Sequence, residues 1–235
     1  MAVTKVLSVG GSIVVPETPD IDFLKKFVSM TREWVSKDSS RRLILVVGGG
    51  GPARIYQGAY REILSGLSNS NADNSEADWI GIMATRLNAQ LLKASFGDLC
   101  PNPVVYNPTD DIEFKGQVLV AAGWKPGFST DTDAVYLAEK FSADTVVNLS
   151  NIEKVYTDDP RKNPDATPID SITWTDFRKM VGDEWVPGKN CPFDPIASKK
   201  AQELNLAVIC AGGKNIENIN AILNGQDYIG TTIKG

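Results

Sequence analysis

The amino-acid sequence predicts an α/β fold, a three-layer αβα sandwich whose central sheet is mainly parallel. Two observations carry this. Apolar, β-branched runs alternate along the chain with segments of helical periodicity, the pattern of strands joined by helical crossovers. The runs are also continuously apolar, as "RLILVV" at 42–47 illustrates, and such strands are buried on both faces.

In chain order, "KVLSVGG" at 5–11 reads as a first strand. A helix over 20–35 follows, with Ile21, Leu24, Phe27, Val28, Thr31 and Val35 at helical spacing and Asp20 or Asp22 as its cap. "RLILVVGGGG" at 42–51 is a second strand, and "PARIYQGAYREIL" a second helix with Pro52 in its first turn. The polar stretch at 68–78 reads as an exposed loop, and a long third helix begins near Asp78. "PVVYN" and "QVLVAAG" are short strands, "TDTDAVYLAEKFSA" a helix, "DTVVNLS" and "LAVICAGG" strands, and "IENINAILNG" a helix. The expectation is one domain over 1–235, with an acceptor-side lobe to about 143 and a second lobe from about 144.

Composition excludes several classes. A net charge of -5 offers no basic footprint for nucleic acid. The apolar runs are too short to cross a bilayer, and "MAVTKVLSVGG" reads as a strand, not as a signal peptide. Three widely spaced cysteines suit a reducing cytoplasm and suggest no metal site. The chain has no histidine, so any chemistry must use carboxylates, hydroxyls, cations and backbone.

Glycine-rich turns follow three strands: "VGGS" at 9–12, "GGGG" at 48–51 and "AAGWKPGFSTD" at 121–131. Ligands of parallel α/β sheets sit outside the carboxyl ends of the strands. Glycine lets backbone N–H groups approach an anion, and helix N-termini add a favourable dipole. Three such turns on one sheet edge point to a long, multiply charged ligand. Neither of the first two matches the P-loop or the dinucleotide-binding fingerprint. Ser129, Thr130, Asp131 and Asp133 cluster at a helix start after the third turn. Ser150, Asn151, Tyr156 and Asp159 follow a strand, as a plain hairpin or as a fold over a purine and its ribose.

With these residues in place, the chain resembles the amino acid kinase family, and within it the uridylate kinases of archaeal type. "VGGSIVVPETPDIDF", "VVGGGGPARIY", "DWIGIMATRLNAQLL", "PGFSTDTDAVYLAEKFSAD", "NLSNIEKVYTDDPRKNPDAT" and "GTTI" carry the resemblance. It implies transfer of the ATP γ-phosphoryl group with magnesium brought in on ATP, and a homo-oligomer, a hexamer in many members. It also implies site residues. Gly10, Gly11, Gly50 and Arg54 would cradle ATP phosphates, and Ser150, Asn151, Tyr156 and Asp159 would hold adenine and ribose. Gly49, Asp78, Gly123, Gly127, Phe128, Ser129, Thr130 and Asp131 would hold UMP. Arg54 and Asp131 would be catalytic, with Asp131 organising magnesium or nearby cations.

Many members of the family carry a lysine two residues before the first glycine pair, where this chain has Ser8, and archaeal-type relatives often carry one after the second glycine loop, where it has Gly51. Lys125 or Lys189 could supply the missing charge. Asp194 and Pro195 read as a helix cap and first turn where acetylglutamate kinases carry a second catalytic lysine, which argues against an amino-acid substrate. The rival reading is a protein of the same fold that binds nucleotide or oxyanion without catalysis, similar to the molybdate/tungstate storage proteins; a third is a family member with another acceptor, such as carbamate or a different monophosphate.

Overall fold

The computed structural model describes residues 3–67, 72–182 and 191–235. The elements are β1 (Val3–Val9), α1 (Gly11–Val14), α2 (Ile21–Ser36), β2 (Arg41–Val47), α3 (Gly50–Ser65), α4 (Asn74–Phe96), β3 (Val118–Ala121), α5 (Thr130–Lys140), β4 (Thr145–Ser150), β5 (Val155–Tyr156), β6 (Pro168–Ile169), β7 (Ser171–Ile172), α6 (Trp174–Val181), α7 (Pro195–Glu203), β8 (Ala207–Gly212), α8 (Ile216–Leu223) and β9 (Thr231–Ile233). Lys189 lies outside the described residues.

Seven strands form one sheet in the order β3-β2-β1-β4-β8-β9-β7, and β5 and β6 form a separate antiparallel pair. The five strands from β3 to β8 are mutually parallel, so their carboxyl ends share one edge. β9 runs antiparallel to β8, and β7 parallel to β9. The position near 144, where two lobes meet in the sequence reading, falls between α5 and β4; β4 pairs in register with β1, so one sheet runs through it.

The strand period of two explains the layers. Leu7, Val9, Leu43, Leu45, Val118 and Val120 point to one face, where Phe27, Trp34, Leu92, Phe96 and Ile219 of α2, α4 and α8 pack on them. Val6, Ile44, Val46, Leu119 and Val146 point to the other, against Ala134, Leu137, Phe177 and Ala197 of α5, α6 and α7. Ser8 shares the face of Val6 and is therefore carried toward α5.

Three local readings need correction. The helix α4 starts at Asn74, not near Asp78, because Asp73 caps it by accepting from Ser75 N–H. "PVVYN" forms no strand; only an isolated bridge joins Val105 to Ala121. The short strands β5, β6, β7 and β9 and the helix α6 carry too few residues, or too mixed a pattern, to show as periodicity.

Candidate active site

The first two glycine turns interlock. A methyl group built on Gly11 would lie 2.0 Å from the Gly50 nitrogen, and one on Gly50 would lie 2.3 Å from the Val15 carbonyl oxygen. Gly50 also has φ +64°, where a side chain is strained in its own right. Asn88 of α4 fixes the second turn, donating to Gly48 O at 2.9 Å and Gly49 O at 3.1 Å. The run of four glycines is thus explained first by close approach of two backbones. That approach sets both turns side by side above the carboxyl ends of β1 and β2, as a floor on which phosphates can rest.

Beside this floor lies a cavity of about 260 Å³. It is lined by Gly49, Asp78, Gly123, Gly127, Phe128, Ser129 and Thr130, seven of the eight residues expected to hold the acceptor. The eighth, Asp131, lies just beyond the lining. Lys125, Ala53, Gln57, Gly81, Ile82 and Thr85 complete the walls, and the last five of these were missed from sequence. Their signal was present: positions 78, 81, 82, 85 and 88 fall on one face of α4.

The third glycine turn is tied down from two helices. Thr85 Oγ1 accepts from Gly123 N–H at 2.8 Å, and Asp78 Oδ2 from Gly127 N–H at 3.3 Å. Arg86 donates to Trp124 O at 3.1 Å, while Asp133 Oδ2 accepts from Trp124 N–H at 3.2 Å. The turn then delivers Ser129, whose hydroxyl caps α5 by accepting from Thr132 N–H at 3.2 Å. The N-terminus of α5 therefore opens next to the cavity, where an anion is favoured.

Behind it sits an acidic group of residues with unusual electrostatics. Ser8, only 3% exposed, donates to Asp131 Oδ1 at 2.8 Å, across 123 residues of sequence. Asp194 N–H donates to Asp131 Oδ2 at 3.3 Å. Burial pushes the Asp131 carboxyl up to about 6; the Ser8 hydroxyl opposes this, and the Asp194 carboxylate adds to it. Asp133 is 0% exposed, and burial raises it to about 7, with the Asp131 charge adding to the effect. Its Oδ1 is buried without a partner among the described residues. Serine at position 8 thus gives Asp131 a hydroxyl partner, and no cationic side chain bonds it among the described residues.

Arg54 is exposed on α3 and reaches back to Pro16 O at 3.3 Å, over the first turn and outside the cavity lining. Of the residues expected to hold the nucleotide, Ser150 ends β4 against the first turn, and Asn151, which follows it, donates to Ser12 Oγ at 3.0 Å. Tyr156 and Asp159 lie farther out, on and after β5. The Asp159 carboxylate is held by the Arg161 guanidinium, both contacts at 3.0 Å, which keeps it well below the usual carboxylate range.

A parallel sheet with three backbone-lined turns, a capped helix start and no histidine is the architecture of a phosphate-handling α/β protein. Residues 3–212 match the model of the amino acid kinase family, and the chain belongs to that family. Among its relatives, the uridylate kinase of Methanobrevibacter smithii is 33% identical over 231 residues, 97% of each chain. The uridylate kinase of Pyrococcus abyssi is 31% identical over 233 residues, 97% of this chain and 98% of the other. The crystal structure of uridylate kinase from Archaeoglobus fulgidus superposes with a TM-score of 0.79 at 29% identity, covering 99% of this chain and 100% of that one. The UMP kinase of Bacillus anthracis shares the fold, with a TM-score of 0.76 at 19% identity.

Proposed function

We propose that the protein is a nucleoside monophosphate kinase that transfers the γ-phosphoryl group of ATP to UMP. The observation that carries this is the single cavity that joins Asp78, the 123–130 turn and the start of α5, beside the interlocked glycine turns. The near-full-length likeness to uridylate kinases supports it.

In this reading UMP enters the cavity with its ribose hydroxyls toward the Asp78 carboxylate, which can accept two hydrogen bonds. Its phosphate meets the N–H groups at the start of α5. ATP lies across Gly10, Gly11 and Gly50, with Arg54 at the rim, and its adenosine reaches past Ser150 and Asn151 toward Tyr156 and Asp159. Phosphoryl transfer asks mainly for alignment and charge neutralisation, which is what rigid turns supply. Magnesium usually keeps waters and takes one or two carboxylates plus phosphate oxygens. Among the described residues the Asp131 carboxyl has no cationic partner and the Asp133 Oδ1 no partner at all, and both fit such an ion arriving on ATP, with Asp131 holding it and Asp133 behind. When bound, the ion would neutralise charge on the phosphates.

The three cysteines of the chain, Cys100, Cys191 and Cys210, fit a reducing cytoplasm. Among the described residues, no helix is long and apolar enough to cross a membrane. Trp79, Met83, Leu87 and Leu91 form an exposed apolar row along the outer face of α4, which suits burial in a homo-oligomer. Light scattering on the purified protein tests that.

The rival reading, a binding protein without turnover, draws on the serine hydroxyl that stands against Asp131 in place of a cation. A coupled assay of ATP consumption across UMP, CMP, AMP, carbamate and acetylglutamate decides between them. UMP-dependent ADP release is expected. Intact ATP binding with no release at high enzyme concentration would leave the binding protein as the answer.

A further inference from the structure

Lys125 is the one cationic side chain lining the acceptor cavity among the described residues, and Asp78 is the one anionic. The other cations nearby are engaged elsewhere. Arg54 bonds the Pro16 carbonyl outside the lining, and Arg86 bonds the Trp124 carbonyl and lies 4.3 Å from the centre of the Tyr106 ring. Positions 8 and 51 carry no charge. Lys125 itself has no carboxylate partner among the described residues. Its ammonium rests 3.9 Å from the centre of the Trp124 ring and 4.9 Å from that of Phe128.

We propose that Lys125 is the cation that takes the acceptor's phosphate, and that it leaves the two aromatic rings to do so. This rests on the reading of the cavity as an acceptor site. The backbone around Lys125 is fixed by the bonds to Gly123, Trp124 and Gly127, so its Cα stays in place while its four-carbon stem swings. Lys125 is exposed, and at an exposed site a ring holds an ammonium only weakly. A charge-assisted hydrogen bond to phosphate is stronger, so the exchange favours the phosphate. Asp78 and Lys125 then define polarity: the ribose goes to the carboxylate wall and the phosphate to the lysine and the start of α5.

Two sources of phosphate, the acceptor and the ATP γ-group, could meet this ammonium, and the arms of the experiment separate them. Equilibrium binding of UMP, uridine and ATP is measured for wild type, Lys125→Met and Lys125→Arg. Met keeps the stem and removes the charge. Lys125→Met is expected to weaken UMP about tenfold while uridine and ATP stay within about twofold, with Lys125→Arg recovering most of the loss. Equal UMP affinity in wild type and Lys125→Met overturns the proposal, and so does an equal loss for uridine. A loss confined to ATP overturns it too, moving the lysine to the donor.

A second measurement does not depend on UMP being the acceptor. Tryptophan fluorescence is titrated with inorganic phosphate in wild type and in Lys125→Met, with Trp124→Phe identifying the Trp124 signal. A saturable change in wild type that is lost in both variants supports the movement. No Trp124-dependent change in wild type overturns it. Failure of UMP-dependent ADP release in wild type would sink the acceptor reading alone, leaving Lys125 to stand or fall on the phosphate titration.

Discussion

The region proposed to hold the acceptor and the region proposed to hold the nucleotide are built differently. The turn at 123–130 is held by residues far away in sequence: Thr85 and Arg86 lie 38 positions from their partners, and Asp78 lies 49 from Gly127. Around Asp159 the bonds are local. Arg161 is two positions away, and Asp158 accepts from Asn163 at five. The first region is assembled only when α4 packs on the sheet. The second is a chain of turns that forms from neighbouring residues and presents a carboxylate already occupied by its own arginine. A wall held by tertiary packing is preorganised for its ligand; a locally tied carboxylate must exchange partners before it can serve one.

The largest effect is expected at Asp131, the residue proposed to hold the ion that arrives on ATP. Asp131→Ala should lower turnover by about 10²–10³-fold, on the scale of losing one electrostatic group at a transferred phosphoryl. The melting temperature should stay within a few degrees, since the hydrogen bonds it accepts come from Ser8 and one backbone N–H. A collapse in stability instead would make Asp131 a structural residue.

Next comes the acceptor wall. Asp78→Asn should raise the Michaelis constant for UMP about tenfold, the cost of roughly one charged hydrogen bond. The constant for ATP should change little. Equal effects on both substrates would dissolve the division into two sides.

Asp133 tests the electrostatics behind the wall. Its folded value, about 7, lies above the ordinary carboxylate value, so the folded state holds a proton that the unfolded chain has released. Stability should therefore fall as pH rises from about 4 to about 7 and then level off. Asp131, at about 6, adds to the same slope. Asp133→Asn should flatten the slope and gain on the order of 1 kcal/mol at pH 8 relative to wild type, allowing for the amide's own unmet hydrogen bond. Urea midpoints at pH 5, 6, 7 and 8 measure it, and an unchanged slope would mean that Asp133 is not the titrating group.

The smallest effect belongs to the nucleotide side. Arg161→Ala frees the Asp159 carboxylate and should shift the Michaelis constant for ATP by no more than about threefold, the scale of an exposed ion pair. A much larger change would show that the local pair is itself part of the adenosine site.

This contrast also governs what was legible beforehand. The strands of the parallel sheet could be read because each is a continuous buried run, and the glycine turns because they follow those runs. Asp78 and the 123–130 turn stood out as polar groups after a strand or on a helix. Their assembly into one cavity did not, because it depends on which face of α4 turns inward. The start of α4 was hidden by its polar composition, although Asp73 and Glu76 at cap spacing marked it. The Ser8–Asp131 bond has no local signal at all. Only the register of β1 beside β4, with α5 packed above, brings those two side chains together.

The interlocked turns also limit how such a sequence can drift. Gly11 and Gly50 occupy each other's side-chain space, so a single-step replacement at either one drives a carbon into the other's backbone. No compensating change at the second position can help, because glycine is already the smallest residue there. The two sites are locked together: the ordinary route by which contacting residues trade volume is closed to them, and variation in this part of the molecule must be absorbed by the rim around the turns, at residues such as Pro16, Glu17 and Arg54.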